Sequence, residues 1–547
     1  MRVRTSVATA LALVMVSVVA CSDGGSDDGD ANGGADSTAL PASVQEIMNQ
    51  SRYEDAAWSL LVTDVATGET FYSLNPDEMS FTGSTRKLFS VGMALDRLGA
   101  GHRVETPVYR VGEVGADGTL DGDLALVGAG DLTFGGRHID ADTVEITDFD
   151  HNDANNLGTA GLTPQDPLYA LDDLARQVRA SGITSIRGDV IVDDRLFVPY
   201  RVPNGNLLVT PVMLNENMVD TAVTPTEVGS PATVEFRPHT EAFAVESDVV
   251  TTAVGTEGTI ELSDGGLIDC IGTAACSGTV SGDIPTDYAA PLSGDERFVG
   301  TFRVEDPNAF MRTAFIEALA RNGVTVTAQA VGGNPVDLLP SSGDYAPDAL
   351  VARFVSPPYE QFARVILKVS LNLGANLSLS LFGVEAGERT VDGALAAERE
   401  TLVDAFGLDG DQFDFPTNGS GSPDSRAAPR ALVDLLIGMH RTDVGDVYRN
   451  ALPILGVDGS LATSGVDLPA RGHVYAKTGT TVALGDDGET IELEAQNLAG
   501  YIETESGRLV AYALMVNDVG ALEDFENDLS AVISDEARIS NIIHESL

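Results

Sequence analysis

The sequence predicts an α/β (α+β) catalytic domain that is interrupted by a long β-rich insertion. Segments with the periodicity of strands and helices occur before residue 102 and return after residue 350. Between them, residues 103–349 carry short apolar runs broken by Gly, Asp, Pro and Thr, a pattern typical of β-rich, surface-heavy structure. The length of 547 residues also exceeds that of an ordinary single domain.

The first part of the catalytic domain is expected at residues 41–102. Trp58 to Val65 predicts a strand, and residues 71–74 predict a second strand after a short turn. Apolar residues then recur at intervals of three and four from Leu88 to Leu98, which gives one buried face of a helix that begins at Ser84.

The insertion contains two helix-like segments, Leu171 to Ala180 and Ala309 to Arg321, and we expect two nested subdomains within it. The second part of the catalytic domain, residues 350–547, opens with an amphipathic helix at Tyr359–Val369. Near its end, the two segments 497–504 and 508–516 are joined by a glycine-containing turn and predict a hairpin.

The N-terminus predicts export. Residues 1–21 contain two arginines, a short apolar run and a final Val-Val-Ala-Cys, which resembles a bacterial lipoprotein signal in which Cys21 is lipidated. Residues 22–40, rich in Gly, Ser and Asp, predict a flexible acidic tether. We therefore expect an exported protein held to the membrane by a lipid anchor alone, facing the periplasm or the cell exterior.

Composition limits the partners. Asp and Glu number 83 against 32 Lys and Arg, and the net charge of −51 repels nucleic acid and anionic membrane surfaces. Excess Asp and Glu with scarce Lys fits a saline habitat, and the alternative is a GC-rich genome that favours Arg codons. In an oxidising compartment, Cys270 and Cys276 are expected to form a small disulfide loop, with two buried thiols as the alternative. They lack nearby His or Cys partners, and we expect no metal and no cofactor.

Only three lysines occur, Lys87, Lys368 and Lys477, against 29 arginines. Two of the lysines lie in hydroxyl-containing motifs. A buried lysine can lose its proton near neutral pH, whereas an arginine cannot. Ser84 and Lys87 are three residues apart at a helix start, so they share a face on which the amine can deprotonate the serine. The free N–H groups of the helix start can stabilise an oxyanion.

Two further motifs complete the candidate site. Ser370 and Asn372 are two residues apart, so both reach one cleft only from a turn between helices. The alternative is a polar pair that caps the next helix. Lys477-Thr478-Gly479-Thr480 ends a strand that begins at His473, where it presents a cation, hydroxyls and an approachable backbone.

Together, in this order, the three motifs resemble those of the penicillin-interacting enzymes. The chain resembles the DacB-like D-alanyl-D-alanine carboxypeptidase/endopeptidase family of low-molecular-mass class C penicillin-binding proteins, over about residues 41–545. The 286 residues between Ser84 and Ser370 agree with the long insertion of that class. Other matching segments are Gly128–Leu132, Gly188–Val190, Asp193–Asp194, Asn215–Asn217, Asp306–Pro307, Ser356–Pro358, Gly456–Gly459 and Leu498–Tyr501. Leu371 and Asn418 depart from the usual pattern.

The resemblance implies a penicillin-binding, serine β-lactamase-like transpeptidase fold and hydrolysis of D-Ala-D-Ala stem peptides of peptidoglycan, with β-lactams as covalent inhibitors. Ser84 would be the nucleophile and Lys87 the general base, while Ser370 and Asn372 would relay a proton and bind the substrate amide. Lys477, Thr478, Gly479 and Thr480 would bind the substrate. Lys368 is expected at the surface. The alternatives are a serine β-lactamase and a non-catalytic lipoprotein that binds cell wall.

Overall fold

A computed structural model describes residues 39–202, 207–341, 344–485 and 490–547. The predicted signal, Cys21 and nearly all of the tether lie outside the described residues. Within the described ranges, no helix combines the length and the apolar character that crossing a bilayer requires.

The helices of these ranges are α1 (Ala42–Met48), α2 (Lys87–Leu98), α3 (Ala154–Leu157), α4 (Tyr169–Ala180), α5 (Pro307–Arg321), α6 (Tyr359–Val369), α7 (Asn372–Glu385), α8 (Val391–Asp404), α9 (Pro429–His440), α10 (Gly445–Ala451) and α11 (Phe525–Ser546). The predicted helices at 171–180, 309–321 and 359–369 are confirmed as α4, α5 and α6.

The strands are β1 (Ala57–Asp64), β2 (Thr70–Leu74), β3 (Ser80–Phe81), β4 (Arg103–Val114), β5 (Thr119–Val127), β6 (Ser185–Ile186), β7 (Val190–Asp193), β8 (Tyr200–Val202), β9 (Leu207–Val209), β10 (Met218–Thr224), β11 (Thr233–Arg237), β12 (Ala244–Thr252), β13 (Glu261–Leu262), β14 (Leu267–Ile268), β15 (Ser277–Pro285), β16 (Phe298–Val304), β17 (Thr325–Val326), β18 (Leu350–Pro358), β19 (Phe413–Asp414), β20 (Arg426–Ala427), β21 (Val474–Leu484), β22 (Ile491–Glu503) and β23 (Leu509–Leu522). The predicted C-terminal hairpin is confirmed as β22 and β23, which pair antiparallel.

The chain divides into two compact units. Of the described residues, the first unit contains those up to Gly92 and from Arg399 onward, and the second contains those from Met93 to Glu398. These boundaries differ from those expected at 102/103 and 349/350. One physical reason is that β18 pairs antiparallel with β4, so the chain after residue 350 continues the sheet of the second unit.

The first unit is built on an antiparallel sheet with the strand order β2-β1-β23-β22-β21. Its central strands are apolar on both faces, and β23 is buried from Val510 to Val516. Such continuous burial requires cover on both sides. Val44 and Ile47 of α1 join Val532 and Ile539 of α11 in the core that packs on this sheet.

The second unit contains three larger sheets, with the strand orders β17-β6-β5-β4-β18, β11-β10-β16-β14 and β12-β15-β13. Helices α4 and α5 supply Leu171, Leu174, Phe310 and Phe315 to its core. Cys270 and Cys276 are joined by a disulfide. The division of the insertion into two nested subdomains stays a prediction.

A buried charge cluster lies in this second unit. The Arg137 guanidinium pairs with Asp150 and Glu216 at 2.5 and 2.6 Å, and His151 Nδ1 lies 2.7 Å from Asp220. Asp150, His151 and Glu216 are close enough to one another to hold a metal ion. Because Arg137 pairs with both carboxylates of that trio and the carboxylates of Asp220 and Glu216 favour a protonated His151, we interpret the cluster as an ion-pair network.

Candidate active site

Ser84 lies in the turn Gly83–Arg86 that leads directly into α2. Lys87 is the first residue of α2 and is fully buried, whereas Ser84 is half-buried. The Lys87 Nζ donates to Ser84 Oγ over 2.5 Å. The sequence spacing of three therefore brings the amine into direct contact with the hydroxyl, as a nucleophile and its base require.

Two amides from distant strands hold this turn against the sheet. Asn497 Nδ2, on β22, donates to the carbonyls of Phe81 and Thr82 at 2.8 and 3.0 Å. Asn517 Oδ1, on β23, accepts from the Phe81 N–H at 3.1 Å. The residues just before Ser84 are thus fixed to the two strands that form the middle of the sheet.

Two glycines let the turn approach β21 closely. A Cβ added to Gly83 would lie 2.6 Å from the amide nitrogen of Thr480, and one added to Gly479 would lie 2.3 Å from the Thr82 carbonyl oxygen. Both distances are shorter than side chains allow, so glycine is required at these points of backbone contact. As a result, the Thr480 amide lies beside the residue that precedes Ser84.

A loop at residues 418–422 supports Lys87 from another side. Lys87 Nζ donates to the Ser420 carbonyl at 3.2 Å. Asn418 Oδ1 accepts from the N–H groups of Ser420 and Gly421, both at 2.8 Å, and from Ser420 Oγ at 3.0 Å. Although Asn418 departs from the usual pattern, its amide oxygen therefore organises the loop that contacts the Lys87 amine.

Lys477 lies on β21 and is fully buried. Its Nζ donates to the Thr478 carbonyl at 2.9 Å. Burial, and then the charge of Lys87, holds the pKa of Lys477 well below its usual range. Lys87 and Lys477 are thus close enough to act on each other electrostatically.

A hydroxyl that the sequence did not single out lies beside Thr478. Ser460 Oγ is 2.9 Å from Thr478 Oγ1. The chain just before Ser460 runs along the edge of β21, where Ala476 N–H donates to the Pro453 carbonyl at 2.9 Å and Leu455 N–H donates to the Val474 carbonyl at 3.0 Å. Among the described residues, this backbone pairing reaches as far as Ala476, and Ser460 then contacts the side chain of Thr478.

Ser370 and Asn372 lie in the second unit, between α6 and α7. Ser370 adopts a left-handed conformation with φ 63°, which costs a non-glycine residue about 1–3 kcal/mol and is common at functional positions. Asn372 begins α7, and its Oδ1 is buried without a hydrogen-bond partner among the described residues. The turn between helices is confirmed, and the role of this pair beside Ser84 stays a prediction.

The burial of Lys368 differs from the expected surface position. Lys368 was expected at the surface but is only 3% exposed. It lies in the last turn of α6, where a cation is stabilised by the carbonyl end of the helix dipole. All three lysines of the chain are therefore buried.

Sequence reasoning missed the groups that support the motifs. Asn497, Asn517 and Ser460 reach the site from parts of the chain far from Ser84 in sequence. The available signal was weak: Asn497 directly precedes the segment Leu498–Tyr501, and Ser460 directly follows Gly456–Gly459, both of which resemble family landmarks.

Comparisons with known proteins give one consistent result. The family model described as the D-Ala-D-Ala carboxypeptidase 3 (S13) family matches residues 40–535. A D-alanyl-D-alanine carboxypeptidase of Actinomadura sp. (strain R39) is 28% identical over 513 residues, which cover 88% of this chain and 82% of the relative. A penicillin-sensitive carboxypeptidase A of Dictyostelium discoideum is 24% identical over 282 residues, covering 50% of this chain and 49% of that protein.

The fold is similar to that of a solved structure. The crystal structure of penicillin binding protein 4 (dacB) from Haemophilus influenzae superposes with a TM-score of 0.66 at 18% identity, and the match covers 92% of this chain and 99% of that chain. At this level of identity the likeness shows the fold alone. The predicted penicillin-binding fold class is thereby confirmed.

Proposed function

The chain belongs to the D-Ala-D-Ala carboxypeptidase 3 (S13) family and is a serine peptidase of peptidoglycan, and we propose that its reaction proceeds through an acyl-enzyme on Ser84. The observation that carries this proposal is the 2.5 Å contact between Ser84 Oγ and the buried Lys87 amine. The amine, in its neutral form, accepts the hydroxyl proton while Ser84 Oγ forms a bond to the carbonyl carbon of the penultimate D-Ala.

The backbone N–H groups of Ser84 and Thr480 are the proposed oxyanion hole. The close packing of Gly83 against the Thr480 amide supports this assignment, because it brings the two backbone segments together without an intervening side chain. Donors held in place in this way stabilise the negative oxygen of the tetrahedral intermediate. The intermediate then collapses, and the C–N bond to the terminal D-Ala breaks.

The leaving amine needs a proton, which we assign to a relay through Ser370. The acyl group needs an acceptor for its amide N–H, which we assign to Asn372. The buried Asn372 Oδ1 supports this role, since an amide oxygen without a partner can accept a hydrogen bond from substrate. Water then hydrolyses the ester, which releases the product and restores Ser84.

Lys477 and Thr478 are proposed to hold the terminal carboxylate of the stem peptide. In a chain of net charge −51, a substrate carboxylate needs a local cation, and Lys477 supplies it when the bound carboxylate offsets the burial and the Lys87 charge that lower the Lys477 pKa. The same anchor fits the carboxylate of a penicillin. β-Lactams are therefore expected to acylate Ser84 and to leave slowly.

The test is labelling of the purified mature protein with a fluorescent penicillin. We expect a stable adduct that is absent from Ser84→Ala, with release of terminal D-Ala from a stem-peptide analogue. An adduct that persists in Ser84→Ala would overturn the assignment of the nucleophile. Rapid turnover of the penicillin would indicate a β-lactamase instead, and an endopeptidase would also cleave a cross-linked dimer of stem peptides.

We also propose that the chain is exported and anchored by lipid on Cys21. The support is the apolar run that ends in Val-Val-Ala-Cys, followed by an acidic tether. Mass spectrometry of the mature N-terminus should find a lipid-modified cysteine. An unmodified N-terminus upstream of Cys21 would refute the proposal.

A further inference from the structure

Three hydrogen-bonded side chains lead from the proposed substrate strand β21 to helix α11, which covers one face of the sheet. Thr480 Oγ1 donates to Gln496 Oε1 at 2.6 Å, and Gln496 Nε2 donates to Glu536 Oε2 at 3.0 Å. Thr480 and Gln496 are direct cross-strand partners on β21 and β22. Glu536 belongs to α11, which lies on this sheet.

The inner end of this hydrogen-bonded series is fully buried. Gln496 and Glu536 are both 0% exposed, and Glu536 Oε1 has no hydrogen-bond partner among the described residues. Buried carboxyls are normally paired with a cation or a set of donors. This carboxyl has a single amide donor, so its environment favours the neutral acid.

Burial is the main influence on the ionisation of Glu536. Burial raises its pKa to about 8, against a small opposing effect of the Gln496 hydrogen bond. Ionisable groups near it are Tyr512 on β23 and Tyr53 before β1. Burial raises the pKa of both hydroxyls, and Asp535 raises that of Tyr53 further and more strongly than Glu536 does. The adjacent Asp535 instead accepts from the Tyr53 hydroxyl at 3.0 Å.

The directions of these two hydrogen bonds depend on whether Glu536 is ionised. An ionised carboxylate only accepts, so Gln496 must turn its Nε2 toward Glu536 and its Oε1 toward Thr480. The Thr480 hydroxyl then donates its hydrogen bond to Gln496 Oε1. A neutral acid can donate, and with Gln496 rotated by 180° the amide donates to Thr480 Oγ1 instead. The Thr480 proton then becomes available to an anion outside the strand.

Thr478 and Thr480 are two residues apart on β21, so their side chains project from the same face of the strand and both are half-buried. On the basis of the proposed function, we propose that Glu536 and Gln496 are positioning residues that direct the Thr480 hydroxyl toward the carboxylate of the bound stem peptide. Protonation of a carboxyl buried under α11 is thereby coupled to substrate binding at the edge strand β21.

The proposed coupling predicts the direction in which substrate affinity changes with pH. Below the pKa of Glu536 the neutral acid permits outward donation from Thr480, and above it the carboxylate withdraws the proton. The affinity for a carboxylate-bearing substrate should therefore fall as the pH rises through about 8. Loss of one hydrogen bond to a charged group corresponds to about a tenfold or larger increase in KM, while kcat should change less.

The experiment measures KM and kcat from pH 6 to 10 for an N-acylated peptide that ends in D-Ala-D-Ala. In Glu536→Gln, the side-chain amide offers both a donor and an acceptor at every pH. This variant should keep the low KM at pH 7 and lose the increase seen in the unmodified protein above pH 8. Asp535→Asn, one residue away and turned toward Tyr53, should retain the increase. An increase of the same size in Glu536→Gln would overturn the inference.

Thr480 supplies a second set of variants that does not depend on a stable Glu536 substitution. Thr480→Val, which lacks the hydroxyl, should have a raised KM that no longer changes near pH 8, and Thr480→Ser should recover the change. A pH-dependent KM that persists in Thr480→Val would refute the coupling. Labelling with fluorescent penicillin distinguishes failure of the proposed function from failure of this inference. If no adduct forms on Ser84, the proposed function fails. If an adduct forms but the variants keep the pH dependence of KM of the unmodified protein, only this inference fails.

Discussion

The loop that supports Lys87, the proposed catalytic base, depends on Asn418, and replacement of Asn418 by alanine gives a prediction whose size follows from the contacts. Asn418 is fully buried, and its Oδ1 accepts from the N–H groups of Ser420 and Gly421 and from the Ser420 hydroxyl. In Asn418→Ala both buried N–H groups lose their acceptor. Each such loss costs about 1–3 kcal/mol, so we expect the free energy of unfolding to fall by about 2–6 kcal/mol.

The same change should reach the chemistry. The Ser420 carbonyl accepts from Lys87 Nζ at 3.2 Å, and a displaced loop no longer holds the amine against Ser84 Oγ. We expect the second-order rate of acylation by a fluorescent penicillin to fall by about tenfold or more, since misplacement of a base by even 1 Å is costly.

Asn418→Asp is the matched control. A carboxylate accepts the same three hydrogen bonds and loses only the donations of Nδ2 to Thr417 Oγ1 and the Ser422 carbonyl. Urea unfolding and penicillin labelling should place this variant close to the unmodified protein. If Asn418→Ala unfolds at the same urea concentration as the unmodified protein, or if Asn418→Asp is equally damaged, the loop is held by other contacts and the reasoning is wrong.

Three more predictions follow from the geometry. Lys87→Arg keeps the charge but not the base, so acylation should fall by about 10²–10⁴-fold in a protein with unchanged near-UV circular dichroism; substantial residual acylation would refute the role of Lys87. Gly479→Ala places a methyl group against the Thr82 carbonyl, so labelling should be largely lost, whereas the exposed Gly507→Ala should be labelled normally. The pKa of His151 is lowered by burial but raised more strongly by Asp220 and Glu216, to about 10. Its contribution to stability is then complete below about pH 6.5 and declines as the pH rises toward 10, so the difference in unfolding free energy between the unmodified protein and His151→Gln should shrink over that interval; a difference that grows would contradict the ion-pair network.

The parts of the site that the sequence could predict are those set by local geometry. Ser84 and Lys87 are three residues apart at a helix start, and that spacing alone brings the amine to the hydroxyl. Asn497 and Asn517 could not be predicted, because their contact with the turn before Ser84 arises only when strands from opposite ends of the chain join one sheet.

The same distinction applies to the fold. Individual helices such as α5 and α6 follow from apolar periodicity, and their bounds are close to those expected. The end of the second unit at Glu398 could not be predicted from periodicity, because the chain after residue 350 joins that unit only through the pairing of β18 with β4 across the insertion. Lys368 was misplaced for a related reason, since a charged residue at the end of an amphipathic helix gives no sign of whether it is covered.

The burial of Lys87, Lys368 and Lys477 leaves the folded protein without an exposed side-chain amine, although it has 547 residues. Reagents that acylate amines should therefore modify the native chain poorly at lysine and gain three reactive positions when it unfolds. Amine reactivity can then serve as a direct reporter of unfolding, and dyes or surfaces coupled through lysine are unsuited to the native enzyme. Attachment through carboxylates, which this surface offers in excess, avoids both Lys87, the proposed base, and Lys477 beside it.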